Sequence, residues 1–175
     1  DLFVVQVQAR EARAQQTELM QAAVFGRELR VEPGGEASLQ PPTAEQAARI
    51  VTEAWKDPDW GMFVWLAMVT GARRGELCAL RWDRCDLGTG LLEIRTSIAQ
   101  DGADTWEKDT KTHQQRRITL DPQTVGLLSM YRKRCEATAA ALDLVLVPDA
   151  RSFSPVPDGS LWSKPDTVGQ RYGRM

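Results

Sequence analysis

The hydrophobic residues of this chain are concentrated in one stretch, from Trp60 to Val69, which holds no charged side chain and a single glycine. A helix of this composition is apolar on every side, so we expect it to be buried all round. Its length of roughly 15 Å is about half of what a bilayer crossing requires, which argues against a membrane span. The stretch therefore predicts a central core helix.

Helical patterns with matching end signals recur on both sides of this core helix. Thr43 and Gln46 have the spacing of a capping box before an apolar stripe, so a helix should begin there and run to Trp55. Further along, Asp121-Pro122 opens a helix that extends to about residue 141, and Lys164-Pro165-Asp166 opens a last one.

Between these helices the hydrophobic pattern changes from a helical to an alternating period. Residues 91–99, LLEIRTSIA, alternate apolar and polar side chains, which is typical of a half-buried strand. Asp101-Gly102 is a hairpin signal, and two more strands are expected at about 105–109 and 116–120, on either side of a polar turn at 110–115. The pattern predicts a mainly α fold with a small three-stranded antiparallel β-sheet, an α+β class.

A second helical stretch, from about Ala72 to Leu80, carries two adjacent arginines. Arg73 lies four residues before Leu77 and so shares the face that should point to the core, whereas Arg74 points about 100° away and reaches water. Glu76 is three residues on and can neutralise part of the charge of Arg73. The spacing leaves two interpretations open: a local ion pair with no further role, or a cation that holds an anion such as phosphate.

The string TGARRGELCALRWDRCDL resembles the first arginine box of the tyrosine recombinases, the phage integrase family. That box runs Thr-Gly-x-Arg-x-x-Glu-Leu, followed by Leu-x-Trp and then by an acidic and an apolar residue. Downstream, KTHQQRRITL is similar to the family's lysine hairpin, a Lys-Thr turn before a basic, β-branched strand. The positions that match the first box are Thr70, Gly71, Arg73, Glu76, Leu77, Leu80, Trp82, Asp86 and Leu87.

The resemblance implies site-specific DNA recombination or integration through a covalent phosphotyrosyl link, a phosphoryl transfer without metal or cofactor. Arg73 would bind the non-bridging phosphate oxygens, Glu76 would orient Arg73, and Lys111 would donate a proton to the leaving 5′ oxygen. Lys108 is the alternative for the lysine, because hairpin lengths vary. The residues expected to contact DNA in addition are Arg74, Thr112, Thr167 and Gln170.

The resemblance also implies a domain arrangement and partners. Residues 41–175 would be a truncated catalytic domain, and residues 1–40 a helical segment and linker. This segment is either the end of a core-DNA-binding domain or a helix packed on the catalytic domain. The partners would be double-stranded DNA and, in the full-length protein, three further copies in a homotetramer on paired sites. A cytoplasmic location without a membrane is expected separately, because the cysteines show no disulfide pattern and the core helix is too short for a span.

The family's later boxes, His-x-x-Arg and the nucleophilic tyrosine, are not found in this sequence. His113 is the only histidine, and a lone histidine in a polar turn is assigned no chemistry. Tyr131 lies too early in the chain to be the nucleophile, and Tyr172 precedes the place where the His-x-x-Arg box would begin. We therefore expect the 175-residue chain to be inactive alone.

Composition limits these interpretations. A net charge of −2 and a pI near 5.5 argue against a generally basic nucleic-acid binder, although residues 71–134 hold 12 basic and 9 acidic side chains. The three cysteines are irregularly spaced and include no Cys-x-x-Cys pair, so neither a disulfide framework nor a zinc site is indicated. Two other functions stay open: a non-catalytic DNA-binding module or degenerate integrase remnant, and a helical scaffold unrelated to DNA.

Overall fold

The computed structural model describes residues 43–109 and 115–174, so segment 1–40 and the predicted site residues Lys111 and Thr112 lie outside the described residues, as does His113. The helices of the described part are α1 (Ala44–Ala54), α2 (Pro58–Thr70), α3 (Arg74–Ala79), α4 (Pro122–Ala140) and α5 (Pro165–Gly173), with a 3-10 turn at Trp82–Arg84. Its strands are β1 (Cys85–Asp86), β2 (Leu91–Ile94), β3 (Thr96–Asp101), β4 (Asp104–Asp109) and β5 (Arg116–Thr119).

The apolar stretch forms α2, and the predicted core helix is confirmed, although Trp65, Met68 and Val69 on one of its faces are only partly buried. Asp57 caps its first turn by accepting hydrogen bonds from the backbone N–H groups of Asp59 and Trp60, at 2.9 and 3.2 Å. Gly71 ends the helix in the left-handed conformation, at φ 61°, which a glycine adopts without steric cost. The buried residues of α2 are Trp60, Gly61, Met62, Phe63, Val64, Leu66 and Ala67.

The predicted capping signals of α1 and α4 are also confirmed. Thr43 and Gln46 form the reciprocal capping box, with the backbone N–H of Thr43 2.8 Å from Gln46 Oε1. Asp121 accepts a hydrogen bond from the backbone N–H of Thr124 at 3.0 Å. Among the described helices, none combines the length and the apolar composition that a membrane span needs.

The strands form two antiparallel sheets. The three-stranded antiparallel sheet of the prediction is present, but its order is β1-β2-β5, and β3 pairs only with β4. The predicted strand 91–99 is interrupted at Arg95, so that β2 and β3 belong to different sheets. In the register, Arg116 of β5 lies opposite Ile94, and Glu107 of β4 lies opposite Ile98. The two strands that flank residues 110–114 are β4 and β5. They pair with β3 and β2, which are separated in the chain by Arg95 alone.

The helix that carries the first arginine box begins later than the sequence suggested. Arg73 is the N-cap of α3, with an extended backbone (φ −67°, ψ 152°), and its side chain is 63% exposed. The prediction that Arg73 lies on the buried side was wrong, because a residue ahead of the first turn does not follow the helical spacing of about 100°. Arg74 is the more enclosed of the two arginines, since its side chain is only 24% exposed.

Candidate nucleic-acid interface

The centre of the candidate site is a buried carboxylate, that of Glu76, which is only 2% exposed. Its Oε2 atom accepts the backbone N–H of Arg73 at 2.8 Å, and its Oε1 atom accepts Nη1 of the same arginine at 3.0 Å. Glu76 is the third residue of α3, so it holds the helix start and the Arg73 side chain together. The predicted Arg73–Glu76 ion pair is thus present, with the glutamate rather than the arginine on the buried side.

A second guanidinium reaches the same carboxylate from the sheet. Nη2 of Arg116, at the start of β5, donates to Glu76 Oε2, and the Arg116 side chain is 40% exposed. The next residue, Arg117, is 69% exposed and bonds instead to Glu93 at 2.9 Å. Two partly exposed cations therefore share one buried anion, and each still presents N–H groups to solvent.

The approach of α3 to β3 fixes the position of this carboxylate. A Cβ atom at Gly75 would lie 2.5 Å from the carbonyl oxygen of Ile98 and 2.6 Å from Oγ of Ser97. Only a glycine lets the helix backbone lie this close to the strand. The glycine next to Glu76 is thus required by packing.

Arg74 and the last helix lie beside the site. Nη2 of Arg74 is 3.9 Å from a carboxylate oxygen of Asp166, and its Nη1 atom packs against Gly169. The spacing had suggested that Arg74 extends freely into water, but its side chain contacts α5 instead. Thr167 and Gln170, the predicted DNA-contacting residues of α5, are both exposed.

A second carboxylate, Glu107 on β4, organises the other side of the hairpin. It accepts Nη2 of Arg151 at 2.9 Å, Nη2 of Arg81 at 2.8 Å and Oγ1 of Thr96 at 2.6 Å. Burial opposes ionisation, but the bonds from Arg151, Thr96 and Arg81 outweigh it and lower the pKa of Glu107 to about 2. Arg151 itself is 6% exposed and lies over the Trp162 ring at 5.3 Å.

Lys108, the alternative for the catalytic lysine, is exposed on β4 opposite Ser97. Side chains alternate along a strand, so Lys108 points to the face opposite that of Glu107. Since Lys111 lies outside the described residues, the choice between the two lysines stays a prediction. Within residues 43–109 and 115–174, no group of three or more His, Cys, Asp or Glu side chains is placed to hold a metal ion.

Comparison with known proteins gives the fold a precedent. A scan against protein-family models and a search of curated proteins by sequence each found no match. Among solved structures, the Tn1549 transposon integrase with a circular intermediate DNA matches with a TM-score of 0.58 and 16% identity, over 85% of this chain and 46% of that one. The XerA recombinase matches with a TM-score of 0.51 and 19% identity, over 81% and 46%. The chain shares its fold with tyrosine recombinases.

A third match agrees with this result. The Tn1549 integrase with transposon right end DNA gives a TM-score of 0.56 and 16% identity over 83% of this chain. In all three cases the chain spans less than half, 46%, of the length of the matched structure. The recombinase fold is therefore present here over part of the length of these proteins.

The two tyrosines of the chain differ in burial. Tyr131 is 8% exposed, stacks at 5.6 Å on Phe153 and lies 5.8 Å from the Trp82 ring. Burial raises the pKa of Tyr131 far above its usual value, so its hydroxyl stays protonated. Tyr172 is half-buried, and burial raises its pKa as well. The rejection of Tyr131 as a nucleophile agrees with this environment.

Sequence reasoning missed Arg116 as a partner of Glu76. One signal could have indicated it: Arg116 and Ile118 are two residues apart on a strand, so an arginine shares the face of an apolar residue that packs on the core. Arg117 and Thr119 take the other face, and both are exposed. The partner of Arg116 could not be foreseen, because it lies 40 residues away and depends on strand pairing.

Proposed function

We propose that this chain supplies the first part of a tyrosine recombinase catalytic domain, in which Arg73 binds a phosphate of double-stranded DNA. The observation that carries the proposal is the pairing of a buried carboxylate, Glu76, with a guanidinium that stays 63% exposed. Glu76 fixes the guanidinium through Nη1, and the N–H groups of the other two nitrogens are left for a ligand. A planar guanidinium suits a phosphate because it donates two parallel hydrogen bonds to two oxygens.

The reaction we propose is site-specific recombination through a phosphotyrosyl intermediate. Arg73 would neutralise charge on the non-bridging oxygens, and Glu76 would keep the guanidinium in the orientation that the transition state needs. Lys111, with Lys108 as the alternative, would protonate the departing 5′ oxygen. Arg74, Thr112, Thr167 and Gln170 would contact the DNA around this phosphate. No cofactor is part of the proposal.

The same proposal assigns residues 41–175 to the catalytic domain and residues 1–40 to the end of a core-DNA-binding domain. The neighbours in complex with DNA support a DNA partner. Recombination on paired sites would require a homotetramer of the whole protein, and its place of action would be the cytoplasm. Each of these statements rests on the family resemblance and on the shared fold.

Strand cleavage needs a reactive tyrosine, and burial raises the pKa of both tyrosines of this chain, Tyr131 and Tyr172. Tyr131 is enclosed by aromatic rings, and its raised pKa disfavours the phenolate. We therefore propose that the 175-residue chain binds DNA without cutting it. Incubation with supercoiled plasmid should leave the plasmid intact, and a covalent protein–DNA adduct would contradict the rejection of Tyr131 and Tyr172 as nucleophiles.

The binding step is tested by an Arg73→Gln variant in a fluorescence-anisotropy titration of labelled duplex DNA at several salt concentrations. Loss of a charge-assisted contact worth roughly 1.5–3 kcal/mol should weaken binding about tenfold or more and lower the salt slope by about 1. Arg49→Gln is the matched control. It removes the same charge from an exposed ion pair of α1, in which Nη2 of Arg49 lies 2.6 Å from Oε1 of Glu45. Equal affinities for the two variants would refute a phosphate site at Arg73.

The second candidate function is a non-catalytic DNA-binding module or a degenerate integrase remnant. It shares the same candidate site, and it predicts the same effect of Arg73→Gln on DNA binding. Extension of the chain separates the recombinase from the non-catalytic alternative. If the chain is extended by a segment that carries a nucleophilic tyrosine, only the recombinase should form a covalent adduct with DNA. A helical scaffold unrelated to DNA would show no affinity that depends on Arg73.

A further inference from the structure

Arg116 is the second cation on Glu76, and the comparison of the two arginines suggests a shared ligand. Nη1 of Arg73 bonds one oxygen of the carboxylate, and Nη2 of Arg116 bonds the other. Arg116 is held in place by the ladder between β5 and β2, where it lies opposite the buried Ile94. The strand pairing thus sets the backbone position of Arg116, and the start of α3 sets that of Arg73.

The width of a carboxylate limits the distance between the two guanidinium groups. With normal hydrogen-bond lengths, donors on its two oxygens lie within about 8 Å of each other. A phosphate group has a similar width, so two donors at this separation can also bond two oxygens of one phosphate. The side that faces away from Glu76 is open for both arginines, since their side chains are 63% and 40% exposed.

The charges do not balance within this group. Two guanidinium ions and one carboxylate carry a net charge of +1, and the anion lies on the buried side. A salt bridge that served only to neutralise Glu76 would be complete with Arg73, whose side chain and backbone N–H already bond both carboxylate oxygens. The positive charge in excess belongs to two side chains that are 63% and 40% exposed.

We propose that Arg116 is a second phosphate-binding residue, which contacts the same DNA phosphate as Arg73. This inference rests on the proposed function and adds a residue to its site. Glu76 then has two guanidinium groups to position, one from α3 and one from β5. The carboxylate joins the helix to the sheet on the inner side, and the phosphate joins the same two arginines on the outer side.

The test measures duplex DNA affinity over a salt series for Arg116→Gln, with Arg117→Gln as the matched control. The control removes the same charge from the neighbouring residue, which is 69% exposed and paired with Glu93. We expect Arg116→Gln to weaken binding about tenfold and to lower the salt slope by about 1. Arg117→Gln should keep the wild-type slope. Urea unfolding of each variant checks that the fold is retained.

The Arg73→Gln and Arg116→Gln double variant tests whether the phosphate is shared. Two donors on one phosphate form a unit, so the loss of affinity in the double variant should be smaller than the product of the two single losses. If the loss in the double variant equals the product of the two single losses, the arginines bind separate phosphates and the inference is overturned. If Arg73→Gln weakens binding and Arg116→Gln does not, the inference fails and the proposed function stands. If neither variant weakens binding, both fail.

Arg116→Lys keeps the charge and should retain the salt slope, which separates the loss of charge from a change in folding.

Discussion

Replacement of Glu76 by glutamine tests how the two arginines are held, because it removes one charge and keeps the size of the side chain. In the variant the guanidinium groups of Arg73 and Arg116 face an amide, at most about 8 Å apart. Their mutual repulsion is the same in wild type and variant, so the change in stability comes from the lost attraction of the carboxylate for both cations. Each of the two arginines loses one charge-assisted hydrogen bond to Glu76, worth about 1.5 kcal/mol.

The expected loss of unfolding free energy is therefore about 3 kcal/mol, near the lower end of the range for breaking a buried ion pair. For a chain of this size the melting temperature should fall by about 6–12 °C. Urea unfolding followed by tryptophan fluorescence measures the change. Glu45→Gln is the control, because its carboxylate is 77% exposed and bonds only one turn away, to Arg49. It should lose less than about 0.5 kcal/mol. A Glu76→Gln variant as stable as this control would refute the role of the buried carboxylate.

Two further predictions concern the surroundings of the site. Gly75→Ala places a Cβ atom 2.5 Å from the carbonyl oxygen of Ile98 and should cost about 1–3 kcal/mol in urea unfolding, whereas Gly126→Ala, with nothing within 4 Å, should be neutral or stabilising. Equal effects of the two substitutions would contradict the close helix–strand contact. The pKa of Glu107 falls from 4.5 to about 2 on folding, so its stabilisation is present above about pH 4.5 and is lost as the pH falls towards 2. The difference in unfolding free energy between wild type and Glu107→Gln should therefore be about 3 kcal/mol at pH 5 and about half of that at pH 3, and a gap that is independent of pH would refute the assignment.

The elements that could be predicted from the sequence are those whose signals are local. A run without charges predicted the buried helix α2, and Thr43, Asp121 and Gly71 marked helix ends through their own hydrogen bonds or backbone conformation. These features depend on residues a few positions apart, so they can be predicted from the sequence alone. The two boxes likewise indicated the recombinase fold.

The features that could not be predicted depend on pairing between distant segments. The break at Arg95 separates β2 from β3, and it directs β5 to one sheet and β4 to the other. The exposure of Arg73 followed from a helix that begins at Arg74, and a shift of two residues moved the charge from the buried to the exposed side. Arg116 and Glu76 lie 40 residues apart, so their contact follows only from the sheet register.

The most direct test of the account is a crystal structure of this chain with duplex DNA, in which the distances from the guanidinium nitrogens to the phosphate oxygens are measured. The account predicts one backbone phosphate with oxygens about 2.7–3.0 Å from nitrogens of both Arg73 and Arg116, while Glu76 still bonds both arginines on the inner side. A complex in which the DNA lies on another face, with no phosphate within about 8 Å of Arg73, would contradict it.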